Sequence, residues 1–227
     1  WSSDVCSSDL AEIVAREGLD IDKTGTGEIS LAHKPDMVDA LKEEADFMAK
    51  TFGATEVFMS KDELVAGGFN SPGLHAGVAN PIGFGLNPWK YVNGLAAATA
   101  KAGARIFTNS EVINWVREGA KHVLTTPRGR VKANKVLIAT AGYTPEDLHD
   151  GFGGRILPAL SSIVVTRPMN QNELGAQGWT NTTPVYDLRY LLHYFRLLPD
   201  GRFMFGGRGG LSAAPDALER QLDNIEA

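Results

Sequence analysis

The stretch "DLRYLLHYFRLLPDGRFMFGGR" (residues 187–208) holds the side chains best suited to gripping a small polar molecule. Successive side chains of an extended strand point to opposite faces. On that pattern Tyr190, Leu192, Tyr194 and Arg196 share one side, and Leu191, His193, Phe195 and Leu197 share the other. A face holding Tyr194 beside Arg196 can line a substrate pocket, and an arginine fork takes a carboxylate through two parallel hydrogen bonds. On the residues alone, a sheet face with a solvated arginine is the plainer reading. Arg189 and Arg208 are further candidates for the same carboxylate-binding role. His75, in "SPGLHAGVANP", and His193 have the chemistry of a general base, but neither has a partner at triad or metal-ligand spacing. A pocket-lining or hydrogen-bonded structural histidine is the expectation for both. His33, His122 and His149 fall near turns and receive no role, and with no Cys/His cluster no metal centre is expected.

The lone thiol, Cys6, sits in the opening decapeptide "WSSDVCSSDL". A reactive cysteine needs a base or positive neighbours to lower its pKa, and here Asp4, Ser7, Ser8 and Asp9 flank it. An irregular polar tail suits the composition better, but leaves the starting Trp1 unexplained. Back-translated with permitted codons, the decapeptide fits TGGAGTTCAGACGTGTGCTCTTCCGATCT, which looks like a sequencing adaptor read in frame. Residues 1–10 are therefore expected to be a library artefact joined at Ala11 to an open reading frame that starts further upstream.

The other signals are those of a folded enzyme. The 227 residues allow one large domain or parts of two, and 43% hydrophobic with 22% charged residues matches ordinary globular chains. The net charge is -5 with Lys and Arg spread along the chain, so no nucleic-acid partner is expected. No apolar run approaches the roughly 20 residues needed to span a bilayer, so no membrane span is expected. The lone cysteine excludes an internal disulfide framework, and the absence of a secretory leader pattern adds to a cytoplasmic expectation.

Helix-like and strand-like stretches alternate from Ala11 onward. "GEISLAH" reads as a half-buried strand, and "PDMVDALKEEADFMAKTFG" as an amphipathic helix placing Met37, Leu41, Ala45 and Met48 on one stripe. "SKDE" is a capping box opening a short helix that Gly67 and Gly68 end. "NPWKYVNGLAAATAKAGA" predicts a helix capped by Asn87 with Val92, Leu95, Ala96 and Thr99 on one face. "ARIFTN" predicts a strand, then "VINWV" and "HVLTTPRGRVKA" a strand and a hairpin, and Val136 to Ala139 a strand buried on both faces. Pro199, Asp200 and Gly201 mark a second hairpin, and "APDALERQLDNIEA" opens a helix at which the sequence stops.

In order and spacing, "GLNPWKYVNGLAAATAKAGARIF" (residues 85–107), "VLIATAGY" (136–143) and "YLLHYFRLLPDGRFMFGGR" (190–208) resemble the D-amino-acid oxidase and glycine oxidase superfamily of FAD-dependent oxidoreductases. They look most like its gamma-glutamylputrescine oxidoreductase-like branch. The resemblance implies an α/β (α+β) fold: part of a two-domain enzyme with a mixed-sheet substrate domain and a Rossmann-like FAD domain. The FAD domain lacks its N-terminal βαβ unit, whose GxGxxG turn grips the pyrophosphate. "GFGGR" (residues 151–155) has the wrong spacing to replace that turn and reads as a loop. The expected division is substrate-domain segment 11–82, FAD-domain segment 83–153, substrate-domain sheet 154–210 and truncated helix 211–227.

Carried over residue by residue, the resemblance implies that Val112 contacts adenine through its backbone and that Ala139, Thr140, Ala141 and Gly142 approach the pyrophosphate. Read without it, both are ordinary strand packing. The implied reaction oxidises the C–N bond of a small-molecule amine or amino acid by hydride transfer to flavin, giving an imine that water hydrolyses. The alternatives are a flavin monooxygenase, a quinone-linked dehydrogenase, or a non-catalytic binding or assembly subunit.

Overall fold

The computed structural model describes residues 3–157 and 159–208; the expected helix over 211–227 lies outside the described residues. The chain opens with helix α1 (Ser3–Glu17), which runs through most of the decapeptide. An irregular tail, the reading set aside for this stretch, does not form: once a turn exists, each further residue fixed gains a hydrogen bond. Strand β1 (Glu28–Ala32) is buried along almost its whole length. A 3-10 turn at Pro35–Met37 leads into α2 (Val38–Phe52), which Gly53 ends in a left-handed conformation. Strand β2 (Val57–Ser60) runs directly into α3 (Lys61–Ala66). The predicted capping box is present: Ser60 Oγ accepts from the Glu63 amide (3.3 Å), and the Glu63 carboxylate accepts from the Ser60 amide (2.7 Å).

Strand β3 (Ala76–Asn80) then pairs with both β1 and β2. After a long excursion the chain returns with β7 (Ser161–Val165), α5 (Gln171–Gln177), β8 (Val185–Asp187), β9 (His193–Leu197) and β10 (Phe203–Arg208). Together they form a seven-stranded sheet in the order β2-β3-β1-β8-β9-β10-β7. It is mixed: β1 and β8 run parallel, and its other pairs are antiparallel. One face packs Ile29, Leu31 and Val185 against Leu64, Phe69 and Trp179. Trp179 stands edge-on to Phe69 (5.4 Å) and Phe203 (5.6 Å), the arrangement the ring quadrupole favours. The other face buries Ala32, Ala76 and Val78 under Leu41 and Ala45 of α2.

The excursion holds α4 (Pro88–Lys101) and a meander of β4 (Asn114–Glu118), β5 (Lys121–Thr126) and β6 (Gly129–Ala133). Asn87 caps α4 by accepting from the Trp89 and Lys90 amides. Two expectations fail here. Neither "ARIFTN" nor Val136 to Ala139 forms a strand; α4 is helical as expected, with no residue of it fully buried. Phe107 is 68% exposed, Leu137 91% and Val92 61%. A strand needs a neighbour for its amides and carbonyls, and among the described residues none pairs with either run.

Helix α5 was not predicted, although "NQNE" carries its signal. Asn170 accepts from the Asn172 and Glu173 amides, and Glu173 accepts from the Asn170 amide (2.8 Å) and from Arg167 (2.6 Å). The Arg167 side chain and the Asn170 amide hold the Glu173 carboxyl down to about 2.

Two predictions follow from this packing. Leu64 is fully buried, so Leu64→Ala should cost about 2–5 kcal/mol in urea unfolding; a cost within experimental error would place it outside the core. Glu173 ionises more readily folded than unfolded, so its contribution is complete above its ordinary value of 4.5 and disappears as pH falls towards 2. Urea midpoints of the parent and Glu173→Gln should converge over that window, whereas a pH-independent gap would contradict the assignment.

Candidate active site

The register places a row of side chains across the sheet on the α2 face. Val78 pairs with Ser30, Ser30 with Tyr186, Tyr186 with Tyr194, Tyr194 with Gly206, and Gly206 with Ile163. Three hydroxyls therefore stand side by side on β1, β8 and β9, and the Tyr194 hydroxyl hydrogen-bonds Ser161 Oγ. Gly206 makes room for the Tyr194 ring, because a Cβ there would lie 2.2 Å from it. Burial raises the Tyr186 phenol above its usual value, Glu28 adds to this, and a hydrogen bond with Ser30 opposes it.

Arg196 lies on the same face as Tyr194, two residues along β9. Its guanidinium donates to Thr24 Oγ1 (3.1 Å) and to the Leu86 carbonyl (3.2 Å), tying the sheet to the loop before α4. Its Nε is buried without a partner, and among the described residues no carboxylate pairs with it. Burial pulls its guanidinium below the ordinary arginine value. Beside it lies a cavity of about 550 Å³ that Thr24, Asn87, Arg202 and Met204 help to line.

The remaining polar candidates separate. Tyr190 and Leu191 belong to the loop before β9, not to the strand, so the alternation expected across 190–197 holds only from His193. Tyr190 is 97% exposed. Arg189 is bound to Asp187, a buried carboxylate that also accepts from the Arg189 and His193 amides and lies 3.3 Å from His193 Nδ1. Asp187 was not singled out from sequence; its signal is an Asp at a strand end with backbone donors two and six residues on. His33 is held below the usual histidine value by burial and by Arg189, with Asp187 opposing. His75 is half-buried before β3, its amide donating to the Ala32 carbonyl. Arg208 ends β10.

The cofactor candidates lie on the excursion. Val112 is half-buried in the extended approach to β4. Ala139, Thr140, Ala141 and Gly142 are exposed where the chain turns after β6, Ala141 has a left-handed φ of 45°, and Thr144 Oγ1 donates to the Ala141 carbonyl (2.8 Å). Apart from the exposed Tyr143 that ends it, the turn carries no side chain larger than threonine, so the backbone of Ala139 to Gly142 is accessible, as close approach of a bulky anion would require. "GFGGR" forms consecutive turns and opens no helix. Among the described residues there is no metal-ligating group of three or more side chains, and no helix is long and apolar enough to cross a membrane.

Comparison with known proteins defines the class. Residues 6–227 match the family described as DAO, FAD dependent oxidoreductase, and the chain belongs to that family. It is 28% identical to "Probable oxidoreductase OrdL" of Rhizobium meliloti (strain 1021) over 82% of this chain and 43% of that protein. It is 27% identical to the gamma-glutamylputrescine oxidoreductase of Escherichia coli (strain K12) over 60% of this chain and 32% of the relative. The chain thus spans less than half the length of these relatives. The crystal structure of glycine oxidase from Bacillus cereus ATCC 14579 superposes with a TM-score of 0.75 at 19% identity, covering 96% of this chain and 60% of that one. The expected fold class, an α/β chain with a mixed sheet, is borne out.

The Arg196 clamp is testable. A Cβ on Gly85 would lie 1.8 Å from an Arg196 terminal nitrogen and 2.6 Å from Thr24 Oγ1, so Gly85→Ala must expel the guanidinium. Its cost should be about 1–3 kcal/mol, and in a cycle with Arg196→Ala the two changes should fall short of additivity by at least about 0.5 kcal/mol. Strict additivity in urea unfolding would show that Gly85 does not serve the clamp.

Proposed function

We infer that this chain is part of a longer FAD-dependent oxidoreductase that oxidises the C–N bond of a small amine or amino acid, and that it works in the cytoplasm. The observation that carries the reading is the family match over residues 6–227. Relatives and structural neighbours named for gamma-glutamylputrescine and for glycine support an amine or amino-acid substrate.

Residues 83–153 are assigned to the FAD domain, and residues 11–82 with 154–210 to the substrate domain. A sheet built from strands on both sides of the excursion supports this division, as do the exposed apolar runs around Phe107 and Leu137. Those runs suit a parallel sheet completed by a strand from elsewhere in the longer protein.

Val112 and the turn Ala139 to Gly142 would hold parts of FAD by their backbones. Bound FAD supplies acceptance of a hydride from the carbon beside the substrate nitrogen. The chain's own residues have simpler tasks. The Tyr194 hydroxyl, beside Tyr186 and held by Ser161, orients a polar group of the substrate on the sheet face it shares with Arg196. Arg196, whose charge no carboxylate neutralises among the described residues, draws a substrate carboxylate towards that face. Arg189 and Arg208 are secondary carboxylate partners and His75 a lining residue, with Arg189 the weaker because Asp187 already holds it.

FAD titration of this chain, beside the longer protein recovered from its source, tests the proposal. The longer protein should retain stoichiometric yellow flavin and release ammonia from members of an amine and amino-acid panel, whereas this chain alone should retain little. Tyr194→Phe in the longer protein should lower kcat/KM by about tenfold or more, the scale of one lost hydrogen bond. Tight stoichiometric flavin on this chain alone would overturn the fragment reading, and a panel without turnover would overturn the substrate class.

A further inference from the structure

Strand β9, which carries Tyr194, is held unequally on its two edges. It pairs with β10 over five residue pairs, from Leu197 to His193, but with β8 over only two, Val185 with Phe195 and Tyr186 with Tyr194. Where the β8 ladder stops, a side chain takes over. The His193 amide donates to Asp187 Oδ1 (3.0 Å), and the Arg189 amide donates to the same oxygen (3.2 Å). Asp187 Oδ2 takes the Arg189 guanidinium and lies 3.3 Å from His193 Nδ1. One carboxylate thus grips both ends of the turn from Arg189 to His193.

The turn has little else to fix it. Arg189, Tyr190 and Leu191 are exposed, so half-buried Leu192 is its one apolar anchor. Leu188, just ahead of it, is pinned to the seam, its amide donating to the Leu31 carbonyl (3.3 Å) and its side chain packed on the α2 face. Asp187 itself is 3% exposed. Burying a carboxylate is costly unless it is hydrogen-bonded and paired, and here two amides and a guanidinium meet that requirement. By strand alternation Asp187 shares its face with Val185, opposite Tyr186. It therefore lies on the far side of the sheet from the row of hydroxyls, directly after the residue pair that sets Tyr186 beside Tyr194.

We propose that Asp187 is a positioning residue for the substrate face: by accepting from both amides it supplies the rung that the β8–β9 ladder lacks, and so holds Tyr194 beside Tyr186. The inference rests on the reading of Tyr194 as the group that orients substrate. What matters is the acceptor oxygen, not the charge. Asp187→Asn keeps Oδ1 for both amides and offers a donor to His193 Nδ1, while the half-exposed Arg189 guanidinium turns to water. Asp187→Ala leaves the two amides without their acceptor.

Two measurements test it. On the 227-residue chain, NMR exchange of the His193 amide should quicken by about tenfold or more in Asp187→Ala and by less than about threefold in Asp187→Asn. In the longer protein, with rates taken per bound flavin so that unfolded enzyme does not count, Asp187→Ala should lower kcat/KM by about tenfold, and Asp187→Asn should stay within about threefold of the parent. In a Tyr194→Phe background, Asp187→Ala should cost less than about a further threefold, because its effect runs through Tyr194. Unchanged exchange at His193, equal losses in the Asn and Ala variants, or an Ala loss that multiplies in full with that of Tyr194→Phe would each overturn the proposal. A longer protein that turns over no amine or amino acid would overturn the substrate reading instead, and the exchange measurement, which needs no substrate, would then decide whether Asp187 sets the strand.

Discussion

Three residue pairs, Ile29 with Val185, Ser30 with Tyr186 and Leu31 with Asp187, hold β1 and β8 in parallel. On one side of that seam are β2 and β3, and on the other β9, β10 and β7, so this pairing alone makes one sheet of two. Closing so long a loop opposes the seam entropically, and burial compensates it: Ile29, Leu31 and Val185 are all nearly inaccessible to water. The polar arrangement hangs on the same pairs. Tyr186 stands beside Ser30 because of the seam, and Asp187 is buried at its end, where it fixes Arg189 and the start of β9.

The stretch between the halves behaves differently. The β4–β6 meander is locally paired, and α4 is capped, but Trp89, Phe107, Leu137 and Ile138 are exposed. An apolar run without a neighbouring strand cannot satisfy its backbone in a ladder, whatever its propensity. The seven-stranded sheet that carries Tyr194 is thus accompanied by a stretch in which the apolar runs around Phe107 and Leu137 stay unpaired among the described residues. That contrast connects the family membership to the proposal of a longer working enzyme.

What the sequence made legible was local. The capping box at Ser60, the cap at Asn87, the left-handed stop at Gly53 and the hairpin through Pro199 to Gly201 each depend on a few neighbouring residues, and all are present. The Tyr194 and Arg196 alternation follows from strand geometry once β9 exists. Val136 to Ala139 misled because an apolar run reports fitness for burial and not the presence of a partner. The hold of Thr24 and Leu86 on Arg196 was invisible for a related reason: it depends on residues far away in the chain, as does the pairing of β1 with β8. The capping box at Asn170 was readable and was missed, since its helix is short and lacks an apolar stripe.

Amide hydrogen exchange, read peptide by peptide on the whole chain, tests the seam most directly. The Ile29 amide donates to the Pro184 carbonyl and the Leu188 amide to the Leu31 carbonyl, so residues on both sides should exchange together in the slowest class. Residues 104–107 and 135–140 should exchange close to the rate of an unstructured chain. Independent exchange of residues 29–31 and 185–188, or strong protection of 136–139, would contradict a single seamed sheet beside an unformed one.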